Sequence, residues 1–283
     1  MSKILIVLIG LTCLLACKLK KEHNLDATDV KQSSYHIEQT VDEIRVFAEG
    51  GKLALVTQNA KPDFRPYIHP ILAPGSKVEL TEYSPGHHKH QTGLYWGFTR
   101  INGTGAEPEE LKKWFYNSDK PKNIQKRIGR DFFHYPDGDH WQKVSVEIIT
   151  AEGEEVKWKT VYNMLDESKS PILKETQIWT FTEKENRYLL SLEWQGEALT
   201  DITVNEFDYG GLFLRMPWKE GVQGEVVNAA RQKNEKAEGQ RAMWVDAGME
   251  IDGLDNWGHI AIFDHTENKD YPQPWRVDGQ LGI

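Results

Sequence analysis

The chain has 283 residues, with 43 acidic and 34 basic side chains and a formal net charge of −9. This acidic balance argues against a nucleic-acid-binding protein, because nucleic acids select basic surfaces. The length suffices for a single domain with a sizeable hydrophobic core. Both cysteines, Cys13 and Cys17, lie near the N-terminus, so we expect no disulfide within that domain.

The N-terminal segment is typical of an export signal. Lys3 supplies a positive charge, and residues 4–15 form an apolar stretch that is too short to cross a bilayer as a helix. The stretch leads into Leu14-Leu15-Ala16-Cys17, which is similar to the lipobox of bacterial lipoproteins. That resemblance implies a signal peptide over residues 1–16, acylation of Cys17 and a lipid anchor on the bacterial cell envelope. An ordinary signal peptide is the alternative, and residues 17–34 are expected to form a flexible tether.

From residue 35 onward, apolar and polar residues alternate with the period of β-strands. The clearest predicted strands are residues 156–162, 176–181 and 188–194. Further candidates are residues 53–58, 67–72, 144–150, 202–207, 212–216, 242–245 and 259–263. Only residues 108–116, which begin at Pro108, have the pattern of a helix. The sequence therefore predicts one all-β domain over residues 35–283, a large antiparallel β-sandwich with one short helical insertion.

Three histidines, His87, His88 and His90, lie within four residues just before the apolar run 94–98. Imidazole has an unperturbed pKa near neutrality, so this cluster suits proton transfer, metal binding or hydrogen bonding to a ligand. A closed metal site needs three or four ligands, and the nearest further histidines, His134 and His140, do not complete a metal-binding motif. We therefore predict no metal and no cofactor. Surface histidines without a role are a further alternative.

Two later segments also carry candidate functional groups. On a strand, Glu206 and Asp208 would share one face, so that one could act as an acid while the other stays ionised. A solvated strand edge is the alternative. Arg215 suits the orientation of an anionic or hydroxyl-rich ligand. Asp264 and His265 follow the apolar strand 259–263, where the sequence favours a structural role over a catalytic one while keeping both as candidates.

Together these segments resemble the PmoA-like family of bacterial secreted proteins, which carries a methane-oxygenase label. The matching pieces occur in order at residues 65–70, 87–98, 102–103, 209–217, 244–246, 262–265 and 274–275. A methane-oxidising membrane subunit needs several transmembrane helices, so the label does not describe an activity of this chain. The resemblance implies a sandwich similar to the galactose-mutarotase supersandwich, with a sugar bound on a concave sheet face. The chain departs from the pattern by an insertion at residues 104–113 and by an early C-terminus, where we expect truncation and an unpaired sheet edge.

The sequence therefore predicts a lipid-anchored carbohydrate-active protein with acid–base chemistry like that of an epimerase, lyase or hydrolase. The predicted catalytic residues are His88, His90, Glu206 and Asp208. The predicted substrate-binding residues are Trp96, which would stack on a sugar, and His134, Arg215, Asp264 and His265. The expected partners are a glycan or small-molecule substrate and, through the lipid, a membrane. A glycan-binding lipoprotein without catalysis and a metal enzyme using His87, His88, His90 or His134 are the alternatives.

Overall fold

Three antiparallel sheets form the molecule. The computed structural model describes residues 34–86, 88–117 and 119–283, and the backbone of Ser2–Ile4. The first sheet contains β1 (Ser2–Ile4), β7 (Trp141–Thr150), β9 (Glu155–Leu165), β10 (Pro171–Lys184) and β11 (Arg187–Ala198). Their spatial order is β1-β11-β10-β9-β7.

The second sheet contains seven strands and the third contains three. The second is built from β2 (Tyr35–Gln39), β3 (Glu43–Ala48), β4 (Ala54–Asn59), β5 (Tyr67–Ile71), β6 (Leu94–Gly97), β8 (Glu152–Gly153) and β12 (Gly211–Leu214). Their order is β12-β6-β5-β4-β3-β2-β8, so β12 and β6 lie at one end of the sheet. The third consists of β13 (Gly224–Asn228), β14 (Trp244–Met249) and β15 (Gly258–Phe263).

Local sequence explains the long central strands. Along β9, buried residues alternate with half-buried ones, as expected for a strand with one face on the core. The turn between β10 and β11 has two residues, Glu185 and Asn186, with φ of 54° and 58°. Two consecutive positive φ angles match the twist of antiparallel strands, so this turn fixes the register of the hairpin.

The sheets share one hydrophobic core. Its buried side chains include Val56 from the second sheet, Trp158 and Phe181 from the first, and Val245 from the third. The predicted all-β fold is confirmed, as an antiparallel β-sandwich. Its likeness to the galactose-mutarotase supersandwich stays a prediction.

The helical insertion is larger than predicted. Helix α1 (Pro108–Trp114) begins at Pro108 as expected and ends two residues early. A second helix, α2 (Lys122–Ile128), follows it, and a 3-10 turn occupies Asn234–Lys236. Only Ile128 of α2 is buried, so this helix lacks the apolar stripe that reveals a helix in a sequence. The prediction of a single helix was therefore wrong.

One predicted strand is absent from the structure and several observed strands were not predicted. Residues 202–207 form no strand, and only Val204 makes an isolated bridge, to Ile101. Asn205 instead bonds through its side chain to the carbonyl oxygens of Arg100 and Gly103, which holds the segment in an irregular path. β3, β6 and β13, which are four to six residues long, were not predicted.

The two ends of the polypeptide concern two predictions, the lipid anchor and the unpaired sheet edge. The predicted acylation site, Cys17, and most of the predicted signal peptide lie outside the described residues, while Ser2–Ile4 lies antiparallel to Leu192–Trp194. At the edge of the second sheet, the backbones of Leu214 and Ile283 exchange hydrogen bonds, so the sheet edge is paired at Leu214. Among the described residues, no helix is both long and apolar enough to cross a membrane.

Candidate functional site

An open cavity of about 620 Å³ lies beside β12 and the loop that precedes β6. Its lining residues come from five segments, namely 88–91, 115–116, 131–135, 209–213 and 276–280. Three imidazoles, those of His88, His90 and His134, belong to the lining. Two of the predicted functional segments, the histidine cluster and the loop of His134, therefore meet in one cavity.

A buried arginine fixes the two histidine-bearing loops relative to each other. The Arg65 side chain is fully buried and lies over the Tyr95 ring, with its guanidinium carbon 3.5 Å from the ring centroid. It donates hydrogen bonds to the carbonyl oxygen of His90 (2.6 Å), to the hydroxyl of Thr92 (3.0 Å) and to the carbonyl oxygen of Phe133. Burial lowers the pKa of Arg65 to about 10, so the side chain stays charged at neutral pH. Sequence reasoning did not predict this role.

A second buried arginine holds the C-terminal wall of the cavity. Arg215 is fully buried and donates to the side chain of Gln91 (2.6 Å), the carbonyl oxygen of Gln280 (2.7 Å) and the carboxylate of Asp278 (2.9 Å). All of its partners line the cavity, whereas Arg215 itself lies behind the wall. The structure therefore places Arg215 as a support of the cavity and away from the substrate-binding surface predicted for it.

The central feature of the cavity is a hydrogen-bonded chain through Asp131, His134 and Tyr209. One carboxylate oxygen of Asp131 accepts the backbone N–H groups of Phe133 (2.9 Å) and His134 (3.0 Å), which forms a tight turn. The other oxygen lies 2.7 Å from Nδ1 of His134. An ionised carboxylate only accepts hydrogen bonds, so in the neutral imidazole Nδ1 carries the proton and Nε2 is an acceptor. Nε2 lies 3.2 Å from the hydroxyl of Tyr209, which also bonds to the hydroxyl of Tyr116.

The surroundings of Asp131 and Tyr209 set the charge states of this hydrogen-bonded chain. Burial alone would raise the pKa of Asp131, but the hydrogen bonds and charge of His134 outweigh it, so the pKa lies below its usual value. Burial, together with the bond to Tyr116, raises the pKa of Tyr209. At neutral pH, Asp131 is therefore ionised and Tyr209 carries its proton.

His90 places a neutral imidazole beside this chain. Its ring centroid lies 4.5 Å from that of His134 and 5.8 Å from that of His88. Burial, then the nearby His134 and Arg65, lower the pKa of His90 to about 3. The cavity thus holds two adjacent imidazoles, the neutral ring of His90 and the ring of His134, which Asp131 orients.

Aromatic rings form a further wall of the cavity. Phe115 and Tyr116, at the end of α1, face the loop of His134, with ring centroids 5.5 Å and 5.4 Å from its imidazole. Tyr209 precedes β12, and its carbonyl oxygen accepts a hydrogen bond from Thr99 at 3.2 Å. The residues that follow the insertion at 104–113 therefore supply one wall of the site.

A family model matches residues 46–283 of the chain. The chain belongs to DUF6807, a family of unknown function. DUF6807 carries no PmoA-like name, so that resemblance stays a prediction, and membership assigns no activity. No curated protein and no solved structure matches the chain.

The predicted carboxylate pair of this DUF6807 chain is not at the cavity. Glu206 and Asp208 are both exposed, and neither belongs to the lining. The prediction that they share one face of a strand is wrong, because residues 201–210 are irregular. The carboxylate that contacts an imidazole of the cavity is Asp131, which sequence reasoning missed. The spacing Asp131-x-x-His134, typical of a turn closed by an aspartate, was the available signal.

The other predicted substrate-binding residues have local structural contacts. Trp96 stacks on Trp194, with ring centroids 4.7 Å apart, and is not part of the cavity lining. Asp264 accepts hydrogen bonds from the Asn268 side chain (2.7 Å) and the backbone of Gln273 (2.8 Å). His265 accepts the backbone N–H of Glu267 at 3.2 Å. These contacts stabilise the loop after β15.

Metal ligation was the alternative use of the histidines. In the part of the chain that the structure describes, no three His, Cys, Asp or Glu side chains form a group suited to a metal ion. His87, which that hypothesis included, lies outside the described residues.

Proposed function

We propose that this DUF6807 protein is a carbohydrate-active enzyme that transfers protons at a sugar bound in the cavity. The observation that carries the proposal is the Asp131–His134–Tyr209 chain, which ends in an open, aromatic cavity. Chains of this kind serve proton transfer because the carboxylate orients the imidazole and stabilises its protonated form.

Each member of the chain has a distinct role. The hydroxyl of Tyr209 takes a proton from the substrate while it passes its own proton to Nε2 of His134, 3.2 Å away. Asp131, at 2.7 Å from Nδ1, stabilises the imidazolium formed in this step. The reverse sequence delivers a proton. His90 stays neutral and provides a hydrogen-bonding group for a sugar hydroxyl.

The size and surface of the cavity support a sugar as substrate. Small-molecule sites measure roughly 300–1,000 Å³, and this cavity holds about 620 Å³. Aromatic rings pack against the apolar C–H faces of a sugar ring, while the hydroxyls of Tyr116 and Tyr209 and the imidazoles bond to its oxygens.

The test is turnover of a panel of oligosaccharides, with products identified by mass spectrometry and NMR. We expect wild-type protein to convert at least one of them and His134→Ala to slow this conversion by about 10²- to 10⁴-fold. His265→Ala, which removes a histidine outside the cavity, is the matched control and should stay within about twofold of wild type. Binding of a glycan that remains unaltered after long incubation would instead assign a glycan-binding protein without catalysis. Stoichiometric metal in purified protein, bound through His88, His90 or His134, would favour the metal enzyme.

We also propose that the protein is anchored to the bacterial cell envelope by lipid on Cys17. The support is the apolar segment ending in Leu14-Leu15-Ala16-Cys17. Labelled palmitate should be incorporated by cells that express the wild-type chain and not by cells that express Cys17→Ser. Incorporation into both chains, or into neither, would contradict the anchor.

A further inference from the structure

Both oxygens of each carboxylate that lines the cavity already accept hydrogen bonds from the protein. Asp131 uses both oxygens, on the Nδ1 of His134 and on two backbone N–H groups. Asp278 accepts from Arg215 through one oxygen, and from the backbone of Gln280 (2.8 Å) and Gly282 (2.9 Å) through the other. These bonds occupy most of the lone pairs with which the two carboxylates could accept the hydroxyl protons of a neutral sugar.

Arg276 is the arginine of the lining, and part of its guanidinium is left to meet a ligand. Arg276 lines the cavity and lies over the ring of Tyr209, with its guanidinium carbon 5.5 Å from the centroid. Its Nη1 donates to Glu238. Within the described residues, the other guanidinium nitrogens of Arg276 have no hydrogen-bond partner. A planar guanidinium with spare donors is suited to a ligand carboxylate.

We infer that the sugar taken by this cavity is acidic, a uronate unit whose carboxylate binds Arg276 and whose neighbouring C–H bond faces Tyr209. This inference rests on the proposed function and adds the substrate class to it. The contact of Arg276 with the Tyr209 ring is what places the carboxylate and the proton-transfer chain side by side.

The same arrangement supports an elimination. Tyr209 takes the proton from the carbon that carries the carboxylate, as its own proton passes to His134. The electron pair of that C–H bond forms a double bond to the adjacent carbon, whose bond to the glycosidic oxygen breaks with both electrons. The proton then returns from His134 through Tyr209 to the leaving oxygen. No oxidant, reductant or further reactant is required.

The test compares acidic oligosaccharides with their carboxyl-reduced forms. The probes are short oligosaccharides of polygalacturonate, alginate and hyaluronan, each before and after reduction of the carboxylate to an alcohol. We expect at least one acidic form to bind about 10- to 100-fold more tightly than its reduced form, as measured by calorimetry. It should also be cleaved to a product with the ultraviolet absorbance of a conjugated double bond.

Substitutions at Arg276 separate this inference from the proposed function. Arg276→Gln should abolish the preference for the acidic form. Its affinity for the reduced form should stay within about threefold of that of wild type, which also shows that the variant is folded. Arg276→Lys should restore part of the preference, and Arg187→Gln, far along the chain on β11, should keep all of it. Equal affinity for acidic and reduced forms would overturn the inference, as would equal weakening of both by Arg276→Gln. If the reduced form is then still converted in a His134-dependent way, the proposed function stands alone.

Discussion

The bond between Asp131 and His134 can be tested by replacing Asp131 with asparagine. The Asn oxygen keeps the two backbone hydrogen bonds of the turn, which measure 2.9 Å and 3.0 Å in the wild-type protein. The amide nitrogen takes the place of the oxygen that lies 2.7 Å from Nδ1 of His134. Because an amide NH₂ only donates, the imidazole must present its Nδ1 lone pair and move its proton to Nε2. Nε2 then no longer accepts the proton of Tyr209.

The magnitudes distinguish a catalytic effect from a structural one. Exchanging one charge-assisted hydrogen bond for a neutral one lowers the free energy of unfolding by about 1–2 kcal/mol. For a chain of this size that lowers Tm by about 2–8 °C, which leaves the protein folded at 25 °C. The wrong imidazole tautomer, by contrast, should lower kcat/KM on the converted oligosaccharide by about 10²- to 10⁴-fold.

The structure offers a matched control for this substitution. Asp137 and His140 form a second pair with the same spacing, 2.9 Å apart, but Asp137 is exposed and neither residue lines the cavity. Asp137→Asn should therefore leave kcat/KM within about threefold of wild type. The ¹⁵N shifts of His134 should report the change of tautomer in Asp131→Asn. If Asp131→Asn were as active as Asp137→Asn, the proposed role of the Asp131–His134–Tyr209 hydrogen-bonded chain would be refuted.

Three further substitutions test the energetics around the site. The folded-state pKa of His90 is about 3, below its unfolded value, so the unfolded chain binds the extra proton and stability falls as the pH drops below about 6.5. His90→Asn should reduce the loss of unfolding free energy between pH 6.5 and 5 by about 1.5 kcal/mol in denaturant titrations, and an unchanged pH slope would contradict this. Burial raises the pKa of Glu175 to about 7, so the folded state loses stability as the pH rises between about 4.5 and 7. Glu175→Gln should therefore stabilise the protein by up to about 3 kcal/mol at pH 8 and little at pH 4.5, whereas equal effects at both pH values would exclude this cause. Arg215→Met leaves Asp278 and Gln91 without their buried donor and should cost about 3–5 kcal/mol of unfolding free energy, against less than about 1 kcal/mol for the exposed Arg187→Met.

The sequence predicted the fold class because alternation over the long strands is a local signal. The 11 residues of β9 and the 14 of β10 each show it, and the register of β10 with β11 follows from the two-residue turn at 185–186. The strand predicted at residues 202–207 shows the limit of this signal. A strand needs a partner along its whole length, and side-chain bonds from Asn205 to a neighbouring loop replace that partner here.

The candidate site was predicted only in part, for a similar reason. The histidine cluster and His134 were recognised because clustered ionisable residues stand out in a sequence. Tyr209 reaches His134 across 75 positions of the chain, and no local pattern encodes that contact. Arg65 was passed over because arginines are rarely fully buried, although here it joins the two histidine loops.

Chemical rescue is the most direct test of whether His134 transfers the proton. His134→Gly opens a space where the imidazole lies between Asp131 and Tyr209. With an oligosaccharide that wild type converts, we expect this variant to be inactive alone and to recover activity in proportion to added imidazole, while His265→Gly stays active without it. An active His134→Gly, or one that imidazole does not restore although its Tm is close to that of wild type, would contradict the account.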